Sequence, residues 1–270
     1  MATQRLRTIA STSGAPSGTQ SIQRVVMILR HLASRNRDGL RLIDLVDALQ
    51  LEQPTVHRML KSLVAESLVM QDPQNKRYFL GRSMYELGLA ASQRFDFRSL
   101  CSPILSNLAR QTGDTVFLTS RSGDESVCLA RHEGTSPVKV FTLALGDRRP
   151  LGAGASSMAL LSAYPLAEIR QIIFSNAERL AEFGEPEPED LFRRVEKAKR
   201  LGYSVRDLPH FEGIRAIGVP VFDFEAQPIA AISISTLTAR LTGHGFDERL
   251  HLLREHADQI RKLTEPTSGG

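Results

Sequence analysis

The sequence predicts an α+β chain in two parts: a small helical module ending in a hairpin, then a larger domain on an antiparallel sheet. Three observations predict it. Short amphipathic stretches crowd the chain before residue 66, and two apolar runs flanking a polar turn follow them. Strand-like runs then come in two groups, near 115–146 and 214–237, with helical stretches between and after them. That layout suits an antiparallel sheet with its helices inserted or appended. Charge divides the same way, since residues 1–81 hold 11 Lys/Arg against 6 Asp/Glu and the remaining 189 hold 23 against 24. The cationic excess favours a polyanionic partner for the first part alone.

Bulk properties set the outer bounds. The 270 residues are 41% hydrophobic and 24% charged, a globular composition with room for one large domain or two ordinary ones. Cys101 and Cys128 are too few for a disulfide framework and lack metal-ligand spacing, so they read as reduced thiols of a cytoplasmic protein. No run of about 18 apolar residues is present, so no membrane span is expected. Residues 1–20 are rich in Ser, Thr and Gly without an apolar signal core, and they read as a flexible tail carrying Arg5 and Arg7; 266–270 form a second tail.

In chain order, SIQRVVMILRHLAS sets Ile22, Val25, Val26, Leu29 and Leu32 at helical spacing and breaks in the polar residues 34–39. RLIDLVDALQ repeats the pattern with Leu42, Leu45, Val46 and Leu49. LEQPTVHRMLKSL follows after a short gap, with Pro54 suited to a first helical turn. Its Val56, Met59, Leu60 and Leu63 share one arc, and Arg58 and Lys61 point the other way. LVMQDPQNKRYFLG then reads as strand, turn, strand, with Asp72-Pro73-Gln74-Asn75 as the turn and Lys76 and Arg77 near its tip. Three helices and a hairpin over 21–81 make a winged helix-turn-helix. In a double-stranded DNA complex Thr55, His57 and Arg58 are the candidates for base edges, and Lys61, Lys76 and Arg77 for phosphates. A protein-docking module with a solvated basic face is the alternative.

These stretches resemble the IclR-type bacterial transcriptional regulators. SIQRVVMIL, RLIDLVDALQLEQPTVHRMLKSLVAESLV and RYFLG carry the resemblance, and Thr55-Val56-His57-Arg58 is its most specific part. The likeness runs over roughly 21–263. It departs before the tetrapeptide, where relatives commonly show Pro-Lys-Ser and Glu52, Gln53 and Pro54 stand here, so the operator sequence does not transfer.

SMYELGLAASQRF, with Met84, Leu87 and Ala91 at helical spacing, reads as a linker helix over 82–96, ahead of a second domain over 97–265. FRSLCSPILSNLARQTG follows as a helix on Leu100, Ile104 and Leu108, stopped by Gly113. TVFLTSR, the turn SGDE and SVCLARHEG read as two strands, and VKVFTLALG as a third. Helices are expected at 155–163, 165–175 and 187–201, then RAIGVPVFD and PIAAISIST as a hairpin, then a closing helix. The basic run RRVEKAKR reads as a solvated helix face. By the resemblance, this domain is a GAF-like effector-binding domain.

PLGAGASSMALLS sets glycines and serines between a strand and a helix, either as a turn with a capping serine or as backbone N–H groups for an anion. No Gly-Lys-Ser/Thr follows, and neither Ser156 nor Ser157 has a placed base, so nucleotide binding and a serine hydrolase are the weaker readings. The resemblance implies a small-molecule pocket lined by this loop, by the segment after Gly202-Tyr203 and by a Ser-x-Ser of the last strand. It carries over to Ala155, Ser156, Arg206, Asp207, Ala216, Ser233 and Ser235. Ser233 and Ser235 share one face by the strand's two-residue period. Three positions depart from the family: Met158 stands where a lysine is frequent, Ala216 where some relatives carry a thiol, and Arg206 where many carry an acid. Arg206 either faces a ligand carboxylate or pairs with Asp207 or Glu212 outside the pocket, and Ala216 suits a larger or aromatic acid. The seven histidines show no metal spacing, and no metal or cofactor is expected. The whole reads as a regulator rather than an enzyme, a dimer or dimer of dimers that binds an operator and a small organic acid.

Overall fold

The computed structural model describes residues 17–92, 97–208 and 211–265, and the chain divides into two units at residues 93 and 94. Arg5, Arg7, His210 and the tail at 266–270 lie outside the described residues.

The first unit contains α1 (Ser17–Ser34), α2 (Leu42–Leu49), α3 (Gln53–Ala65), the hairpin β1 (Val69–Gln71) and β2 (Tyr78–Leu80), and α4 (Arg82–Ser92). Gln50 turns the chain between α2 and α3 in the left-handed region, at φ 52°. The core takes Leu45, Val56, Leu60, Leu63 and Val69 as the spacing predicts. Two expectations fail on α1. Residues 17–20, assigned to the tail, are helical. Its buried stripe is Ile28 and Leu32, flanked by Val25 and Leu29, while Ile22 and Val26 are 66% and 39% exposed. Only the C-terminal half of α1 reaches the small core against α2 and β2.

The second unit runs α5 (Phe97–Thr112), β3 (Thr115–Ser122), β4 (Glu125–Glu133), β5 (Arg148–Pro150), α6 (Ala155–Ser162), α7 (Leu166–Ser175), α8 (Ala177–Glu182), α9 (Pro188–Leu201), β6 (Ser204–Asp207), β7 (Ile214–Phe222), β8 (Pro228–Leu237) and α10 (Gly243–Lys262). The strands form one antiparallel sheet in the order β5-β4-β3-β8-β7-β6. Val116, Leu118, Ile217, Ile232 and Ile234 bury one face against α5 and α10. The other face lies under α6, behind which α7 and α9 pack through Leu160, Leu161, Ile169 and Leu191. Alternation along buried strands thus sends aliphatic residues to one layer and small or polar ones to the other.

VKVFTLALG is not a strand. Val140 is buried, but Val138, Phe141 and Leu145 are exposed, and Gly146 at φ +81° turns the chain back. The edge of β4 is taken instead by β5, in the register Glu125↔Pro150 to Val127↔Arg148. Apolar content alone misled here, because the segment's side chains do not alternate toward one layer. On α5 the expected Leu108 is buried and Ile104 packs against the core, but Leu100 is exposed and Cys101 and Leu105 are buried in its place.

Asp114, buried at the α5–β3 corner, joins elements far apart in sequence. Its carboxylate accepts from Arg240 Nη1 at 2.5 Å, Arg249 Nε at 2.6 Å and Thr236 Oγ1 at 2.7 Å. Arg240 also donates to Thr112 O at 3.0 Å and Arg249 to Gly245 O at 3.0 Å, so both guanidiniums are satisfied by fixed partners. Removing one member strands a buried charge. Asp114→Ala should therefore destabilise the second unit by about 3–5 kcal/mol, read as an earlier urea transition; an unshifted midpoint would show the network to be dispensable.

Candidate functional site

In the first unit, α3 presents Thr55, Arg58 and Lys61 in one line at three-residue spacing, Thr55 half-buried and the two cations exposed. Arg58, Lys61 and Lys76 form no ion pair among the described residues. A groove between α3 and the hairpin is lined by Arg41, Gln53, His57, Gln71, Asn75 and Lys76, so the structure brings His57 and Lys76 together. The sequence did not single out Arg41 or Gln53 as DNA contacts. Arg41 is partly neutralised by Asp44, whose carboxyl it holds below the usual carboxylate range through a bond of 3.0 Å.

The hairpin tip is stiff. Asp72 accepts from Gln74 N and Asn75 Nδ2, Asn75 Oδ1 accepts from Arg77 N, and Lys76 sits at φ +58°. Arg77 stands apart from the other cations: it is half-buried, and its Nη1 donates to Gly39 O at 2.9 Å and Asp38 O at 3.3 Å. Its first task is to fasten the hairpin to the α1–α2 turn.

In the second unit the antiparallel register settles which side chains share the α6 face. Arg206 stands opposite Ala216, Ala216 opposite Ser235, and Ser235 opposite Thr115. The next row is Ser204, Gly218, Ser233 and Phe117. At the other edge Arg149 stands opposite Ser126, two residues from Cys128, which stands opposite Thr119. Burial pushes the Cys128 thiol up to about 11, so it stays protonated near neutrality. Ala155, Ser156, Arg206, Ala216, Ser233 and Ser235 are all buried.

Helix α6 touches the sheet at Gly218, where an added Cβ would lie 3.0 Å from Ala155 O and 3.1 Å from Ser156 Cα. Ser204 Oγ donates to Ala155 O at 2.5 Å, fixing the helix start over the serine row. The N–H groups of Ala155, Ser156 and Ser157 find no acceptor among the described residues, nor do the hydroxyls of Ser156, Ser233 and Ser235 form a hydrogen bond. Thr119 Oγ1 is buried without a partner on the same face. Ser157, weighed as a nucleophile, instead accepts Gly152 N at 2.8 Å and braces the turn. Met158 is buried in the core behind α6.

Two expectations about the segment after Gly202-Tyr203 are corrected. Asp207 points away from this face, is 67% exposed on its side chain, and pairs with Arg215 at 2.7 and 3.0 Å. Successive residues of β6 alternate, so Arg206 and Asp207 never serve one site. Arg206 pairs with neither Asp207 nor Glu212; it is 8% exposed, 3.0 Å from Glu185 Oε2, and donates to Gly184 O at 2.6 Å. Its Nε is buried without a partner. Glu185 also accepts Gly154 N at 3.0 Å. Burial pushes the Glu185 carboxyl up, against the opposing pull of Arg206 and the Gly154 N–H. Glu185 and Arg149 were missed, one in a Pro/Glu-rich loop that reads as solvated and one on a three-residue strand.

Two family models match the chain. The one described as the IclR helix-turn-helix domain covers residues 21–73, and the one described as the bacterial transcriptional regulator IclR C-terminal covers 89–262. The HTH-type transcriptional regulator KipR of Bacillus subtilis (strain 168) is 32% identical over 223 residues, 82% of this chain and 86% of that protein. The HTH-type transcriptional repressor AllR of Escherichia coli (strain K12) is 32% identical over 249 residues, 91% of this chain and 90% of that one. Among solved structures, an IclR homolog complexed with 4-hydroxybenzoate from Microbacterium hydrocarbonoxydans is similar with a TM-score of 0.65 at 23% identity, covering 90% of this chain and 98% of that one.

The close approach at Gly218 generates a prediction. Gly218→Val should push α6 from the sheet and destabilise the second unit by about 1–3 kcal/mol, an overpacking effect. Scanning calorimetry of the full-length protein reads it as a lower midpoint; a wild-type midpoint would mean that α6 yields freely.

Proposed function

Because the chain belongs to the IclR family of bacterial transcriptional regulators, we propose that its second unit senses a small organic acid and controls the operator binding of its first. One observation carries the sensing half. Free backbone N–H groups at α6 and unbonded hydroxyls at Ser156, Ser233 and Ser235 converge on one buried face. Buried polar groups are ordinarily bonded, so such a cluster is built to meet polar atoms from outside the chain. Donor-rich surroundings at a helix start favour an anion. Phe117, Ala216 and Ala231 on the same face suit an apolar or aromatic body, and the 4-hydroxybenzoate carried by the Microbacterium neighbour is a ligand of that kind.

For DNA, α3 enters the major groove with Thr55, His57 and Arg58 toward base edges, and Lys61 and Lys76 neutralise phosphates. Arg77 reaches a phosphate only with the part of its guanidinium that the turn carbonyls leave free. The chain acts as a homo-oligomer, a dimer or dimer of dimers. In the first unit Ile22, Val26 and Met27 on α1 and Tyr85 and Leu87 on α4 are exposed apolar side chains, which a second copy would cover. A two-fold dimer reads paired half-sites. A regulator of bacterial transcription works in the cytoplasm, where Cys101 and Cys128 stay reduced.

Fluorescence anisotropy on duplexes from the protein's own promoter region tests both halves. Arg58→Ala should weaken binding by about 1–3 kcal/mol and relax sequence preference, while Lys61→Ala should lower the salt slope by about one without changing preference. No binding to such duplexes in dilute buffer would end the operator reading. Ser233→Ala should spare DNA affinity and blunt the response to a bound acid; a normal response would remove that serine from the site.

A further inference from the structure

Two arginines flank the α6 face, and their surroundings differ in a way that bears on the ligand. Arg206 comes from edge strand β6 and is neutralised inside the protein. Its Nη1 lies 3.0 Å from Glu185 Oε2, and its Nη2 donates to Gly184 O at 2.6 Å. Glu185, with its side chain 1% exposed, spends its other oxygen on Gly154 N at 3.0 Å. An acid that displaced Glu185 from this guanidinium would leave Glu185 as a stranded buried charge.

Arg149 comes from the opposite edge strand, β5, and has no carboxylate partner among the described residues. Its Nη2 donates to the Thr142 carbonyl, and its Cζ lies 5.6 Å from the centre of the Phe183 ring. Its Nη1 is 3.7 Å from where a Cβ on Gly154 would stand, so the remaining edge of the guanidinium lies beside the loop that opens α6. The unaccepted N–H groups of Ala155, Ser156 and Ser157 begin at that point. Burial pulls the Arg149 guanidinium below its ordinary value, against the opposing pull of Asp147 and Glu185, neither of which forms an ion pair with it. Independently of the helix terminus, the orphaned hydroxyl of Thr119 and the orphaned Nε of Arg206 are both more than nine-tenths buried on this face. Phe183, Gly184 and Glu185 touch both arginines from one short loop.

We propose that Arg149, with the N–H groups that open α6, is the counter-ion of the ligand's acid group, and that Arg206 is an internally neutralised wall of the pocket. The proposal rests on the sensing reading above and narrows it. Arg149, Arg194 and Arg206 against Asp147 and Glu185 leave one positive charge, which one carboxylate balances. A second carboxylate would face Glu185 or the apolar Phe117, Ala216 and Ala231. The ligand class is thus a monocarboxylic acid with an apolar or aromatic body and a polar atom for Ser233 or Ser235.

Calorimetry on the full-length protein tests this with benzoate, 4-hydroxybenzoate and pyruvate, each beside its neutral amide. Wild type should prefer the acid. Arg149→Met should weaken binding of that acid on the order of 10- to 100-fold, the worth of hydrogen bonds to a charged group, and leave the amide unchanged. Arg149→Lys keeps the charge and should retain part of the preference, which guards against a folding artefact; melting midpoints check both variants. The double variant Glu185→Gln, Arg206→Met should keep the acid preference. An Arg149→Met protein with the wild-type acid-to-amide ratio, or a double variant that loses it, overturns the assignment while leaving the sensing reading intact. If none of the acids binds wild type, the sensing reading falls and takes this one with it.

Discussion

The arrangement of the second unit depends on one contact, the seat of helix α6 on the backbone of the sheet at Gly218. A Cβ there would lie 3.0 Å from Ala155 O, tighter than ordinary contact, so glycine lets α6 lie this low without strain. Lowering the helix start has two consequences. It brings three N–H groups without acceptors to the level of Ser233, the cross-strand partner of Gly218. It also lets Ser204 on the next strand reach Ala155 O and hold that position. The helix start thus acts as a fixed set of donors, because its partial positive charge is carried by backbone rather than by flexible side chains.

Charge is handled differently in the two buried layers. On the α5/α10 side, Asp114 takes bonds from two arginines and a threonine, so both of its oxygens have fixed partners. Such a network serves the fold, since both carboxylate oxygens of Asp114 are spent on groups of the chain itself. On the α6 side the accounting is incomplete: Arg206 Nε and Thr119 Oγ1 are orphaned, and Arg149 has no acid among the described residues. Leaving a buried donor unmade costs about 1–3 kcal/mol, so these groups are not neutral packing choices. The contrast sets a self-satisfied ion cluster on one side of the sheet against a face with unmatched donors on the other.

Much of this was legible in the sequence because periodicity reports burial. The spacing of Val56, Leu60 and Leu63 fixed the inward face of α3 and so the outward direction of Arg58 and Lys61. The two-residue period put Ser233 and Ser235 on one face before their partners were known. The same rule would have separated Arg206 from Asp207 had the four-residue strand β6 been recognised, but SVRD alternates without large apolar residues to announce it. Glu185 was illegible for another reason: its partners stand 21 and 31 residues away, and EPEPED looks like solvated charge from within. VKVFTLALG misled in the opposite sense, apolar enough for a strand yet held as a loop, in which Val140 N is taken by Thr115 Oγ1.

The orphaned groups also bear on how sensing becomes regulation. A ligand shifts a conformational balance only by the difference in its affinity for the two states, however tightly it binds either one. Donors that the chain leaves unmatched supply such a difference, since the arrangement in which a ligand reaches them is relieved of their penalty and others are not. A buried donor left unmade costs about 1–3 kcal/mol, the range of ordinary allosteric coupling, so relief of even one such group is of the size a regulatory response needs. Under the proposed function, the unmatched groups around α6 would serve signalling as well as binding. Filling them with internal partners, as Asp114 does on the other face, would stabilise the unit and silence it.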